Sequence, residues 1–342
     1  MTILRAELAV TAAVIGTMAG AGFASGQELV QFFLCLGPRA PAALALMAVL
    51  LSLAAGLARY LAGQWRTQCY RDFLVVLLGS WAKPADLATA AFLFGGVAIM
   101  LAGSGAVARQ YFGLPPLAGS LACVAVASLA GLGRGRGLLL LNAILVPVML
   151  LIMVVAAGTI IFHRAGPLPA VPPLPAGGLV SNSWFLNAGL YVAYNMLGLA
   201  VLLTSLPGRQ GVAGAGLGGL LLGGVVYLLV TAMAGLSPAA LRSELPLLHL
   251  VAGIHAGMPR LFALALWLAM VTTAASDLFG LVSRLNQIPG LTPVRAVTGV
   301  WVLAVPVAGC GFITLVSWIY PFFGYLGLVF LVLALVRYQF KI

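Results

Sequence analysis

Three stretches of this chain place polar atoms inside apolar runs. The first is GTMAGAGFASGQE, Gly16 to Glu28, where Gly16, Gly20, Gly22 and Gly26 precede or flank Ser25, Gln27 and a carboxylate. The second, NAGLYVAYNMLG, sets Asn187, Tyr191, Tyr194 and Asn195 ahead of Gly198. The third, VTTAASD, clusters Thr272, Thr273, Ser276 and Asp277, with Thr273 and Asp277 sharing a helix face at i, i+4. Paired threonines offer neutral, hard oxygens of the kind that suits a small cation. Glycine lowers the cost of unwinding a helix and so frees carbonyl and amide groups. None of this is ordinary furniture for an apolar helix.

The surrounding composition says what these residues are embedded in. Of 342 residues, 63% are hydrophobic and 7% charged, and the mean hydropathy is +1.15. A soluble domain of this length cannot bury that much apolar surface, so lipid is the solvent for most of the chain. The isoelectric point near 10.1 does not indicate a nucleic-acid partner. The 17 basic residues are scattered between apolar segments and form no single basic face. Cys35, Cys69, Cys123 and Cys310 show neither CxxC nor Cys/His spacing and read as small apolar residues. The first apolar run has no small-residue cleavage site and is expected to be a retained membrane segment.

A hydrocarbon core of about 30 Å requires roughly 20 apolar residues of helix. Ten segments meet or approach that length: about 6–34, 40–62, 85–111, 115–132, 138–162, 183–205, 211–235, 258–283, 292–309 and 311–337. The last two must be joined by a tight hairpin at Gly309–Gly311. The stretch SPAALRSELPLLHLVAGIHAG reads as an interfacial or vestibule-capping helix pair, and the proline-rich stretch around 165–178 as an extended loop. With the N-terminus inside, twelve basic residues, including Arg5, Arg59, Arg134, Arg209, Arg284, Arg337 and Lys341, fall on the inner side. Five, Arg39, Arg109, Arg164, Arg242 and Arg260, fall outside. The expectation is a multi-pass protein of the inner (cytoplasmic) membrane with both termini cytoplasmic.

In lipid, irregular backbone survives only where it is buried or lines a polar cavity. Gly16 and Gly20 alone fit a GxxxG packing face as well as a break, but the polar run Ser25–Glu28 does not help packing. Segment six offers the second candidate break. Segments one and six stand five apart in a chain of ten, as expected of two inverted repeats of five helices that each begin with a discontinuous helix. The expected architecture is therefore all-α, with ten transmembrane helices as a 5+5 inverted repeat in a single membrane domain over 1–342. Repeat one covers about 6–162 and repeat two about 183–337.

These residues resemble the leucine-transporter fold of the amino acid–polyamine–organocation superfamily, and GAGFASGQELVQFF in particular resembles the YkvI-type bacterial membrane proteins. The resemblance implies a secondary active transporter working by alternating access, with sodium-coupled symport of a small solute such as an amino acid or related organic compound. It implies sodium as the coupling ion and no cofactor. The ion would be held by the carbonyls of Gly16 and Ala19, the hydroxyls of Thr272 and Thr273, and the carbonyl of Ala269. The solute would contact Ala21, Gly22, Phe23, Ala24 and Ser25 in segment one, and Tyr191, Tyr194, Asn195 and Gly198 in segment six. A solute carboxylate would be received near Gly22–Gly26. Phe23 stands where neurotransmitter-type relatives carry an asparagine, so no second sodium site is expected. Segment five carries no ionisable residue, which disfavours a lysine-based proton mechanism but leaves protons carried by Glu28 or Asp277 open.

Glu28 is expected one turn into the outer half of helix one, facing an outer vestibule, as a functional acid or a solvated one. Asp277 is expected to aid ion release or to pair with Arg284 or Arg5 as an inner gate. The alternative function is a ligand-sensing receptor subunit on the same fold. An intramembrane enzyme is disfavoured. Ser25 would need a base within hydrogen-bond reach, and His163, His249 and His255 all fall in or beside outer loops. The glycine pattern GAGFASG has no preceding soluble strand and is not a dinucleotide site. The expected partners are the small solute and the bilayer.

Overall fold

A computed structural model describes residues 3–67, 69–132, 136–163, 177–206, 208, 210–255, 257–286 and 289–339. Arg134, Arg164, Arg209, Lys341 and most of the proline-rich stretch lie outside the described residues. Fifteen α-helices follow one another: α1 Ile3–Met18, α2 Ala21–Ser25, α3 Gln27–Phe32, α4 Ala40–Trp65, α5 Tyr70–Leu78, α6 Ala82–Phe112, α7 Pro116–Leu132, α8 Arg136–Phe162, α9 Trp184–Ser205, α10 Val212–Met233, α11 Pro238–Leu241, α12 Pro246–Val251, α13 Met258–Leu285, α14 Pro293–Ala308 and α15 Phe312–Gln339. Among the described residues there is no β-strand. Seven helical stretches are long and apolar enough to cross a membrane, α7 and α14 are apolar but shorter, and the first segment is divided. Leu53, Leu87, Leu129, Phe162, Phe279 and Leu303 point outward and exposed, as lipid-solvated side chains do.

Small residues bring the central helices together. On α10, Gly214 and Gly218 meet the backbone of α1, while Gly219 and Gly223 meet α4 at Leu51–Ser52 and Ala48. The pairing of helices follows a pattern. α4 packs on α10 and α6 on α13; α4 on α9 is matched by α10 on α1, and α6 on α14 by α13 on α7. Two charged groups, the half-buried Glu7 and the buried Arg59, fix helix ends. Glu7 accepts hydrogen bonds from the amides of Gly211 (2.7 Å) and Gly214 (2.6 Å), closing the N-terminus of α10. Arg59 donates to the carbonyls of Leu203, Leu206, Gly208 and Gln210 at 2.7–3.2 Å, gathering the C-terminal end of α9.

The first segment is interrupted twice. Gly20 is extended (φ −72°, ψ −174°) and Gly26 is left-handed (φ 86°). In an unbroken helix Gly20 would donate to Gly16 O and Phe23 to Ala19 O; neither bond forms, although Ala19 still donates to Ile15 O. Ser25 stitches the gap, donating to Gly22 O (2.6 Å) and accepting from the Gln27 amide (3.1 Å). A methyl group at Gly16 would meet no atom within 4 Å, so Gly16 and Gly20 do not serve as a GxxxG contact. Gly26 is the crowded one, with Leu247 of α12 seated 2.8 Å from where a Cβ would lie.

The expected break in segment six does not occur: α9 is one helix from Trp184 to Ser205. Its polar residues are satisfied without unwinding. Asn195 donates back to Tyr191 O (2.8 Å), and Asn187 accepts from the Ser181 amide and donates to Phe32 O. Gly198 alone costs a helix about 1 kcal/mol, too little to open it. Between segments two and three lies the short helix α5. The hairpin at Gly309–Gly311 is a tight turn, with Gly311 at φ 91°.

Gly26→Ala should destabilise the protein by about 1–3 kcal/mol through strain and the Leu247 clash, whereas Gly16→Ala should be neutral or slightly stabilising. Thermal unfolding of the two purified variants checks this; equal losses would mean that Gly16 is a packing residue after all.

Candidate functional site

The interruption of the first segment packs on α9, α13 and α15, and also on α6, α8, α10 and α12. Glu28 stands at their centre, 5% exposed. This corrects the expectation that it faces the vestibule. Gln27 is buried as well and donates to the Ser243 carbonyl. The left-handed turn at Gly26 rotates Glu28 inward, where Tyr194 Oη donates to its Oε2 at 2.6 Å. Its Oε1 rests against Gly22, where a Cβ would not fit, and Tyr320 Oη lies 2.9 Å from that same Cβ position. Glycine at 22 is therefore what lets a carboxylate and a phenol meet on the first segment.

Aromatic rings cluster on Tyr194, the donor to this carboxylate. Tyr194 and Tyr320 stack in parallel, centroids 4.7 Å apart and 3° between planes. Phe32 stacks on the other side of Tyr194 at 5.5 Å, and Tyr191 meets Tyr194 edge-on at 5.4 Å. Tyr191, Tyr194 and Tyr320 are all within electrostatic reach of Glu28, and Tyr320 also of Asp277. Ala21, Gly22, Phe23, Ala24 and Ser25 are buried on the first segment. Of the expected solute residues, Gly22, Tyr191 and Tyr194 converge on Glu28. Asn195 bonds within its own helix, and Gly198 looks into open space.

The second polar patch is on α13. Thr272 is buried and its hydroxyl donates to Ala269 O at 2.9 Å, while Ser276 donates to Thr272 O. α13 packs against α2. Asp277 presses its carboxylate against Gly96 of α6, where again a Cβ would not fit. The inner-gate pairing is corrected. Arg284 binds Asp86 at 3.1 Å, two helical turns beyond Asp277, and Arg5 is exposed. Among the described residues no basic side chain forms an ion pair with Glu28 or Asp277.

Above α3, a cavity of about 680 Å³ is lined by Arg109, Gln110, Arg242, Ser243 and His249, with Arg109 paired to Glu244 at 2.6 Å. Tyr320 and Phe32 are the site residues that sequence reasoning missed. Pro321 was the available signal for the first. A proline inside a helix frees the carbonyl four residues back; here Ser317 O accepts the Leu179 amide instead, and the adjacent tyrosine enters the site.

No protein-family model matches the chain. Two proteins of Bacillus subtilis (strain 168) are similar to it almost end to end. The uncharacterised protein YyaD is 27% identical over 330 residues, 93% of each chain. The uncharacterised membrane protein YkvI is 25% identical over 328 residues, 93% of this chain and 92% of YkvI. Among solved structures, the manganese transporter of Eremococcus coleocola, crystallised with an aromatic bis-isothiourea compound, superposes with a TM-score of 0.52 at 16% identity. The match covers 90% of this chain and 71% of the transporter.

Tyr194→Phe should destabilise the protein by about 1–3 kcal/mol, because it strips a buried carboxylate of its donor. Asn195→Ala should lose about 1 kcal/mol or less. Thermal midpoints of the two variants decide it; equal shifts would mean that the Tyr194–Glu28 bond carries no special weight. In sequence, then, the chain is a relative of the membrane protein YkvI and of YyaD, and in fold it is shaped like a solved transporter.

Proposed function

We propose that this protein is a secondary active transporter that couples entry of sodium to uptake of a small organic solute. The carrying observation is the run of missing hydrogen bonds at the break in the first segment, from Gly16 O to Ala19 O. The carbonyls of Gly16 and Ala19 have lost their helical donors, and free carbonyls in lipid demand another partner. Together with the Thr272 and Thr273 hydroxyls and the Ala269 carbonyl, they form a set of neutral oxygens suited to a monovalent cation. A transition metal is the poorer candidate: among the described residues no group of three His, Cys, Asp or Glu side chains converges.

The ten-span, 5+5 reading is supported by the pairing pattern of the helices. Exchanging each segment for the one five places on turns α4–α9 into α10–α1 and α6–α14 into α13–α7, and these pairs all pack. A short helix follows the second segment of each half as well, α5 in one and α11–α12 in the other. In this scheme the ion steadies the break, the solute sits between the break and α9, and rocking of one half against the other carries both across. Both termini lie in the cytoplasm. A second reading has its own observation. Glu28 and Asp277, without basic partners among the described residues, could carry protons in place of sodium.

Purified protein in liposomes, offered labelled solutes with an inward sodium gradient, tests the ion. Uptake should collapse when potassium replaces sodium, and Thr272→Ala with Thr273→Ala should reduce sodium-driven uptake at least tenfold. Sodium-independent uptake that survives the double substitution but follows a proton gradient, and disappears in Glu28→Gln, would transfer the assignment to protons.

A further inference from the structure

We infer that the cargo is a small organic ammonium ion without a carboxylate, and that Glu28 is the residue that selects it. The inference rests on the transport reading for its purpose but on the site's own geometry for its content. A solute bearing a carboxylate would place that group near Gly22–Gly26. The protein's own carboxylate already lies there: Glu28 Oε1 rests on Gly22 and its Oε2 is held by Tyr194 at 2.6 Å. A second carboxylate within a few ångströms meets like charge in a low-dielectric surround, and among the described residues no basic side chain pairs with Glu28 to offset it. Arg109, in the cavity above, is engaged by Glu244.

The rest of the enclosure has the complementary character. The Tyr194 phenol holds the carboxylate, Tyr320 Oη meets the same Gly22 position as Glu28 Oε1, and the rings of Phe32, Tyr191 and Tyr320 pack on Tyr194; aromatic faces attract ammonium groups most strongly where water is excluded. Tyr194 and Tyr320 stack in parallel at 4.7 Å. An entering ammonium would separate the two rings, take Glu28 as its counter-charge and lie between their faces. No acidic solute requires this combination, and a bare metal ion would find one carboxylate and rings instead of a coordinating set.

The test uses matched compounds and the full-length purified protein. Pentylamine, norleucine and hexanoate share an alkyl chain and differ in bearing the amine, both groups, or the acid. Thermal unfolding is followed against the concentration of each, and against manganese and tetramethylammonium. Pentylamine or tetramethylammonium should raise the midpoint at concentrations at least tenfold lower than norleucine or hexanoate. Glu28→Gln should weaken the amine response at least tenfold, the usual loss when one member of a charged hydrogen bond is removed, and Tyr320→Leu should weaken it by a smaller factor. If Glu28→Gln does not fold, the amine-to-zwitterion ratio of the unaltered protein decides the matter by itself. Norleucine, hexanoate or manganese stabilising as well as the amines would overturn the inference. So would an amine response unchanged in Glu28→Gln, or no response to either amine. Uptake into liposomes separates this from the transport reading: amine binding without uptake sinks transport and leaves the selectivity standing, while norleucine accumulation without amine binding does the reverse.

Discussion

In hydrocarbon a main-chain carbonyl that has lost its helical donor has no water to turn to, and this constraint governs the whole arrangement. The first segment violates helical continuity at Gly20 and again at Gly26. Everything near it answers the consequences. Ser25 bonds across the gap, α12 closes over Gly26 through Leu247, and Asn187 reaches from α9 to the Phe32 carbonyl at the end of α3. What these do not satisfy are the carbonyls from Gly16 to Ala19, which lose their helical donors at the break, and α13, which carries Thr272 and Thr273, packs against α2 just after it.

The two interruptions do different work. The extended turn at Gly20 liberates carbonyls, whereas the left-handed turn at Gly26 changes which way the following side chains point. Beyond that turn, the carboxylate is delivered to Gly22 and to three tyrosines from α9 and α15. Two glycines, Gly22 and Gly96, each make room for an acid, the buried Glu28 and the half-buried Asp277. Acids at membrane depth cost several kcal/mol and persist where function requires them.

Much of this was legible in the sequence. The segment boundaries follow from apolar length, and each of the ten expected segments coincides with a helix or, for the first, a run of helices. The break in segment one was readable because glycines and polar residues coincide there, leaving neither packing nor propensity to hold the helix. Segment six misled because Asn and Tyr at depth signal only that a partner is needed, not that the partner is supplied by unwound backbone. Asn195 found Tyr191 O one turn away, and the helix stayed whole. Tyr320 was hidden in an aromatic run, WIYPFFGY, where a single phenol does not stand out. The Arg284–Asp86 pair was missed because it joins α13 to α6, a contact that no spacing within one segment reveals.

Amide hydrogen exchange of the purified protein in sodium and in potassium measures the central claim most directly. If sodium completes the break, peptides covering 16–24 and 268–276 exchange more slowly in sodium, and the rest of the membrane helices do not change. Identical exchange in the two salts across both stretches would contradict an ion at the interrupted helix.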